Sequence, residues 1–311
     1  MNITGYKHIF FAISGVLVVG AIGAILFFGL RFGIDFTGGA IIEAVYTDTR
    51  PNAQDVEEEL ARAGFEGSSV QTTGENGLVV RTGIVSEDDR PAIHKALSLS
   101  ESYLYEEQRF SLIGPIVGNE LRAKAWVAIG AVILAIILFV AFAFRHVSEP
   151  AVSGRSGAIG VSSWVYGIIA IVALIHDILI PAGAFAILGS YLPGYEIDTL
   201  FVMALLAILG YSVNDTIIIF DRVRENLKEN ARLHTHKDFA TIINESLSQT
   251  FARSINTSLT TLVVLGALFL IGGAATKPFA LTLAIGVIAG TYSSIFLAAP
   301  LLSVINKRKV K

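Results

Sequence analysis

The 311-residue chain reads as a polytopic α-helical membrane protein with six spans and one small α+β domain after the first. Three observations predict this. The composition is 53% hydrophobic and 16% charged, with a mean hydropathy of +0.64, whereas a soluble domain carries about 25% charge. Six apolar runs reach the roughly 20 residues needed to cross a bilayer, at about 9–30, 125–144, 164–189, 199–219, 254–273 and 278–304. The one long polar stretch, 31–124, changes hydrophobic period in an orderly way.

The elements follow in chain order. Ile9 to Leu30 outlasts the roughly 7–15-residue core of a signal peptide, and no A-x-A-like site follows before "RFGIDF", so it is a retained helix. "AIIEAVY" (40–46) is a strand, and Pro51 with Asn52 opens the helix "AQDVEEELARAGF". "SSVQTT" (68–73) and "GLVVRTGIV" (77–85) are strands around the turn "GENG". "SEDDRPAIHKALSLS" is a second helix with acids in its first turn, where the macrodipole favours them. "EEQRFSLIG" (106–114) closes a β-α-β-β-α-β order, which is a ferredoxin-like plan. With 16 acidic and 9 basic residues this stretch carries about −7. It has no His cluster, phosphate loop or catalytic constellation, His94 reads as a helix-surface residue, and a docking surface is the default. The division expected is 1–30 (N-terminus and first span), 31–124 (extramembrane domain) and 125–311 (spans two to six, a segment at 220–252 and a basic tail).

Loop charges orient the bundle. Lys7, Arg145, Arg155, Arg222, Arg224, Lys228, Arg232, Lys237 and the tail Lys307, Arg308, Lys309 and Lys311 fall on one side. "GSYLPGYEID" lacks Lys and Arg, and the loop after span five has only Lys277. Both termini are therefore expected in the cytoplasm and 31–124 outside. The absence of cysteine excludes disulfides and thiol chemistry. No Walker-type loop or basic, aromatic-interleaved patch points to a nucleotide or nucleic acid. No cofactor, metal or enzymatic activity is expected.

Within the spans, ionisable groups are functional candidates. Asp215, beside Asn214, lies about four residues from the end of the fourth run, with Tyr211 and Ser212 on its face. Span five opens "FARSINTSLTT", where Arg253, Thr257 and Thr260 or Thr261 form a stripe with Asn256 and Ser258 nearby, so Arg253 is placed to reach Asp215. His176 and Asp177 lie near the middle of span three, and Pro181 is expected to break that helix locally. The competing reading is that such groups only hold helices together, each bond worth about 0.6–2 kcal/mol. Between spans four and five, Phe239, Ile242, Ile243, Leu247 and Phe251 share a helical face, read as an amphipathic segment on the membrane surface or on a partner.

Four blocks give the chain a resemblance to the SecD/SecF family of protein-export proteins, in the RND superfamily of proton-coupled transporters. They are "GIDFTGGA" (33–40), "HDILIPAGAFAILG" (176–189), "GYSVNDTIIIFDRVREN" (210–226) and "QTFARSINTSLTTL" (249–262). The second and third are specific, and with six spans and one external domain the likeness covers essentially the whole chain. The resemblance implies motif residues Gly33, Asp35, Phe36, Gly38, Gly39, Asp221, Arg222 and Arg224. It implies a proton relay drawn from Asp215, Arg253, Asn214, Asp177, His176 and Thr257, with protons as coupling ion and sodium left open. The implied partners are a SecD-like subunit, a SecYEG-type translocon, a YidC-type insertase, the translocating unfolded polypeptide and the lipid bilayer. The implied role is proton-motive-force-driven assistance to late steps of export.

Three rivals stand beside this reading. One is an RND-type exporter of small molecules or lipids working as a dimer of half-transporters. Another is a purely structural scaffold. An intramembrane aspartyl protease on Asp177 and Asp215 needs two carboxylates sharing a proton, and their expected depths, one central and one near the edge, argue against it.

Overall fold

The computed structural model describes residues 2–143, 163–192, 194–235 and 237–309; Arg145, Arg155 and Lys311 lie outside them. A short 3₁₀ turn leads into α1 (Lys7–Phe28), and α2 (Ile34–Thr37) precedes the sheet domain. That domain runs β1 (Gly39–Tyr46), α3 (Ala53–Arg62), β2 (Ser69–Thr73), β3 (Gly77–Thr82), α4 (Arg90–Leu97) and β4 (Tyr105–Ile113). The bundle continues with α5 (Pro115–Ala143), α6 (Ser163–Tyr191), α7 (Thr199–Leu233), α8 (Phe239–Ile271) and α9 (Thr276–Tyr292). A π-helical turn (Ser293–Ala298) joins α9 to α10 (Ala299–Lys309). Among the described residues, six helices are long and apolar enough to cross a membrane: Thr4–Phe28, Pro115–Val140, Trp164–Tyr191, Thr199–Leu233, Phe239–Ile271 and Thr276–Ile305.

The four strands lie in the order β2-β3-β1-β4, every pairing antiparallel. Alternation along β1 sends Ala40, Ile42, Ala44 and Tyr46 inward, where Val56 and Leu60 of α3 and Ile93 and Leu97 of α4 cover them. Tyr46 keeps its buried hydroxyl satisfied by donating to the Leu97 carbonyl at 2.8 Å. α3 begins at Asn52, whose side chain accepts from the Gln54 N–H.

Two helices run further than their apolar stretches. α7 continues to Leu233, because Ile219, Phe220 and Val223 stay buried beyond the run. α8 starts at Phe239, and the face carrying Ile243 and Leu247 packs into the bundle core with Phe220 and Val223. The expected surface-lying segment is therefore the first half of a continuous helix whose apolar face is covered by α7. Pro181 also sits inside an unbroken α6. Its missing N–H removes the helical donor to the carbonyl four residues earlier, that of Asp177.

Candidate functional site

The sheet domain joins the bundle at a close crossing. Gly33 N–H donates to the Ile197 carbonyl at 2.9 Å, and Ile197 N–H donates to the Arg31 carbonyl at 2.7 Å. Asp35 Oδ2 accepts from the Thr199 N–H at 2.9 Å, and Asp198 Oδ1 accepts from the Phe201 N–H at 2.7 Å. Two carboxylates thus cap the first turn of α7, where orphan N–H groups and the macrodipole favour negative charge. Phe36 is buried against Phe185 and Phe201. Gly38 and Gly39 have φ of 81° and 144°. A Cβ on Gly39 would stand 2.4 Å from the Thr82 carbonyl oxygen, and one on Gly38 would stand 3.0 Å from Pro115 N. Both glycines are needed for backbone angle and for close approach. Burial pushes the Asp198 carboxyl up to about 6; the Phe201 N–H opposes this, the Asp35 charge adds to it, and Arg81 opposes it. Burial likewise raises Glu196, with Arg81 and Arg31 pulling the other way.

Deeper in the bundle, polar side chains of four helices meet. His176 and Asp177 of α6 are 2% and 0% exposed, and Asp215 of α7 is 8% exposed. Asp177 is surrounded by donors. His176 Nδ1 lies 2.8 Å from its Oδ1, while Ser212 Oγ and Ser293 Oγ donate to its Oδ2, the latter at 2.8 Å. Asp215 Oδ1 accepts from Ser254 Oγ at 2.5 Å. Its Oδ2 is buried with no hydrogen-bond partner among the described residues. Ser294 lies beside this carboxyl and pairs with Thr216 Oγ1 at 2.9 Å. One turn further toward the sheet domain, Tyr211 donates to Ser258 (3.0 Å), which meets Thr291 Oγ1 at 2.5 Å. A buried carboxylate oxygen without a donor is costly, which sets Asp215 apart from Asp177, whose two oxygens are both engaged.

The expected relay residues divide accordingly. Asp215, Asp177 and His176 are brought together; Arg253, Thr257 and Asn214 are not, all three being exposed on the outer face of α7 and α8. No ion pair joins Arg253 to Asp215 among the described residues, and Thr257 turns its hydroxyl onto the Arg253 carbonyl (2.9 Å). The reason is helix phase: Arg253 and Ser254 are about 100° apart, and Ser254 takes the inward position. The depth contrast between Asp177 and Asp215 also falls. Ser212, which bonds Asp177, is less than one turn from Asp215. Each carboxylate is bonded to its own hydroxyls and neither to the other among the described residues, so they do not form a shared-proton pair. Asp221, Arg222 and Arg224 lie at the far end of α7, where Arg222 meets Glu225 (2.5 Å) and Arg224 meets Asp221 (3.6 Å). Sequence reasoning missed Ser254, Ser293, Ser294 and Thr216. A signal for the first existed, since Ser246, Thr250, Ser254 and Ser258 recur every four residues and all are buried.

Comparison with known proteins then places this architecture. Residues 94–152 and 161–308 match the family described as protein export membrane protein SecD/SecF, C-terminal, and residues 23–49 match the SecD/SecF GG motif. A protein translocase subunit SecF from Thermobaculum terrenum is 39% identical over 97% of this chain and 93% of its own length. The subunit of that name from Pseudomonas aeruginosa is 34% identical over 98% of this chain and 92% of its own. The crystal structure of SecDF, a translocon-associated membrane protein from Thermus thermophilus, superimposes with a TM-score of 0.81 at 30% identity. It is matched over 99% of this chain, which spans 39% of the SecDF chain. SecDF in a super-membrane-facing form superimposes with a TM-score of 0.67 at 31% identity.

Proposed function

Because this chain belongs to the SecD/SecF family of protein-export membrane proteins, we propose that it is an accessory subunit of the Sec translocase in which proton exchange at Asp215 moves the sheet domain. The single observation that carries the mechanism is the unpartnered Oδ2 of Asp215, enclosed in the middle of a spanning helix. When ionised, the carboxylate draws the Ser254 hydroxyl and holds α8 to α7. When protonated, it becomes a donor itself and that grip weakens. A proton crossing a force of roughly 150–200 mV releases about 3.5–4.5 kcal/mol, which biases two helix arrangements by about 10²–10³-fold.

The output reaches the sheet domain through α7, whose first turn is held by Asp35 of the glycine motif. The antiparallel β2-β3-β1-β4 order supports the ferredoxin-like reading of that domain. We place it on the outer side of a bacterial inner membrane, with both termini cytoplasmic, because Arg222, Arg224, Lys228 and Arg232 gather at the other end of α7. Its role is to act on the emerging unfolded polypeptide rather than to catalyse a reaction.

The exposed polar groups of α7 and α8 also find a place. Asn214, Arg253, Asn256 and Thr257 would be costly against lipid. A SecD-like half, as in the larger SecDF chain, covers them and brings Arg253 toward the relay. The SecYEG-type translocon and the YidC-type insertase lie beyond that pair. The test is pulse-chase export of a secreted precursor in cells whose only copy carries Asp215→Asn. Export as slow as in the null strain, with assembly onto the SecD-like subunit intact, supports the reading; unchanged export refutes it.

A further inference from the structure

Three consecutive residues at the π-turn contact three different neighbours. Tyr292 donates its hydroxyl to the Phe10 carbonyl of α1 at 2.9 Å, and its ring stacks on His176 with centroids 6.1 Å apart and planes at 18°. Ser293 donates to Asp177 Oδ2 at 2.8 Å. Ser294 pairs with Thr216 at 2.9 Å, beside Asp215. Both serines are 0% exposed, so their hydroxyls must be satisfied inside the bundle; Ser293 also lies 3.1 Å from the Gly290 carbonyl of its own helix.

The turn is widened, with the Ala299 N–H donating to the Ser294 carbonyl five residues back. An extra residue per turn narrows the arc between successive side chains. Ser293 and Ser294, side by side on the turn, meet α6 and α7 respectively. Such turns are rare inside helices and concentrate at functional sites.

We infer that Ser293 and Ser294 are positioning residues of the relay: the π-turn sets one hydroxyl on Asp177 and the next on Thr216, beside Asp215, so one turn reaches the surroundings of both buried acids. The inference rests on Asp215 being the proton carrier. A hydroxyl is one donor and two acceptors. Ser294 can therefore face an ionised Asp215 as a donor and a protonated one as an acceptor, by rotation alone. Ser293 faces an acid whose surroundings do not change, because Asp177 also engages the His176 ring and the Ser212 hydroxyl, and its other contact, the Gly290 carbonyl, belongs to its own helix. Proton exchange at Asp215 thus changes the hold on Ser294 while Ser293 stays fixed, and the strain falls on the turn between them. Tyr292 carries the change to α1, which leads into the glycine motif and the sheet domain.

The test measures precursor export against external pH, at constant membrane potential, in cells carrying one variant as the sole copy. Co-purification with the SecD-like subunit is scored in parallel. Ser294→Ala displaces the midpoint of the pH profile toward higher pH by about one unit, a tenfold change in the protonation equilibrium, and Ser294→Thr restores it. Ser293→Ala lowers export severalfold at every pH without moving the midpoint. Where Ser294→Ala fails to assemble, Ser294→Cys, of similar size and weaker in hydrogen bonding, decides on the same midpoint. Wild-type profiles for both serine variants, beside an Asp215→Asn chain that has lost its pH dependence, overturn the inference and leave the relay standing. A uniform loss at Ser294 that Thr does not rescue also overturns it. A wild-type profile for Asp215→Asn overturns the relay itself.

Discussion

Replacing Gly39 with alanine tests whether the glycine motif is a mechanical joint. At φ 144° a residue with a Cβ is strained, at a cost of about 1–3 kcal/mol. The new carbon would also stand 2.4 Å from the Thr82 carbonyl oxygen and 2.9 Å from Ile34 Cγ2, and crowding of this kind costs about 1–3 kcal/mol more. Because the oxygen belongs to backbone of β3, relief requires β1 and β3 to part at the end nearest the bundle. A penalty of about 3 kcal/mol raises local opening roughly a hundredfold, at 1.4 kcal/mol per decade. Hydrogen exchange of the detergent-purified chain reads this directly, as faster exchange of amides at 39–42 and 80–82. Gly20→Ala is the control, since nothing lies within 4 Å of its added carbon. Exchange in Gly39→Ala equal to that of the control would refute the argument.

Further outcomes follow from the same geometry. Ser254→Ala slows export by about tenfold or more, since a hydrogen bond to a charged group contributes about 1.5–3 kcal/mol. Thr257→Ala, whose hydroxyl serves only its own helix, leaves the rate near wild type in the same pulse-chase assay. Asp35→Ala uncaps the first turn of α7 and costs about 1–2 kcal/mol, seen as faster exchange at 199–202 with the β-sheet unaffected. The Asp198 carboxyl, raised by burial to about 6 from 3.8, binds its proton more tightly folded than unfolded. Its contribution to stability is therefore present in acid, falls as pH rises from about 4 to 6, and is constant above. Thermal unfolding at pH 4.5 and 7.5 measures it, and Asp198→Asn flattens the difference.

Much of this was written in periodicity. Six apolar runs marked the spans, and the alternation at 40–46 marked a half-buried strand. Asp215 stood out because an acid in such a run is expensive. Helix ends were less legible: the run stops at 219, yet α7 continues because its inward face stays apolar while the other turns polar. Phase on α8 was the harder failure. Arg253, Ser254, Asn256, Thr257 and Ser258 place polar groups on every side, so spacing alone favoured the charged residue over the serine that touches Asp215. The π-turn left a weaker signal: in "TYSSIFLAAP" Pro300 lacks the N–H that would close an ordinary turn onto Phe296, which marks an irregularity without giving its form.

The length of α7 has a consequence of its own. Thirty-five residues at 1.5 Å each make a rod of about 52 Å, clasped by Asp35 at one end and holding Asn226 against Ser246 (2.8 Å) near the other. Asp215 stands near its midpoint, which makes the carboxylate a fulcrum. A rocking of about 5° there carries the two tips roughly 2 Å each in opposite directions, from about 26 Å of lever on either side. Levers work both ways. On the relay proposed at Asp215, a pull on the sheet domain would press back on the carboxylate, and load on one side of the membrane would set how readily a proton is taken up or released.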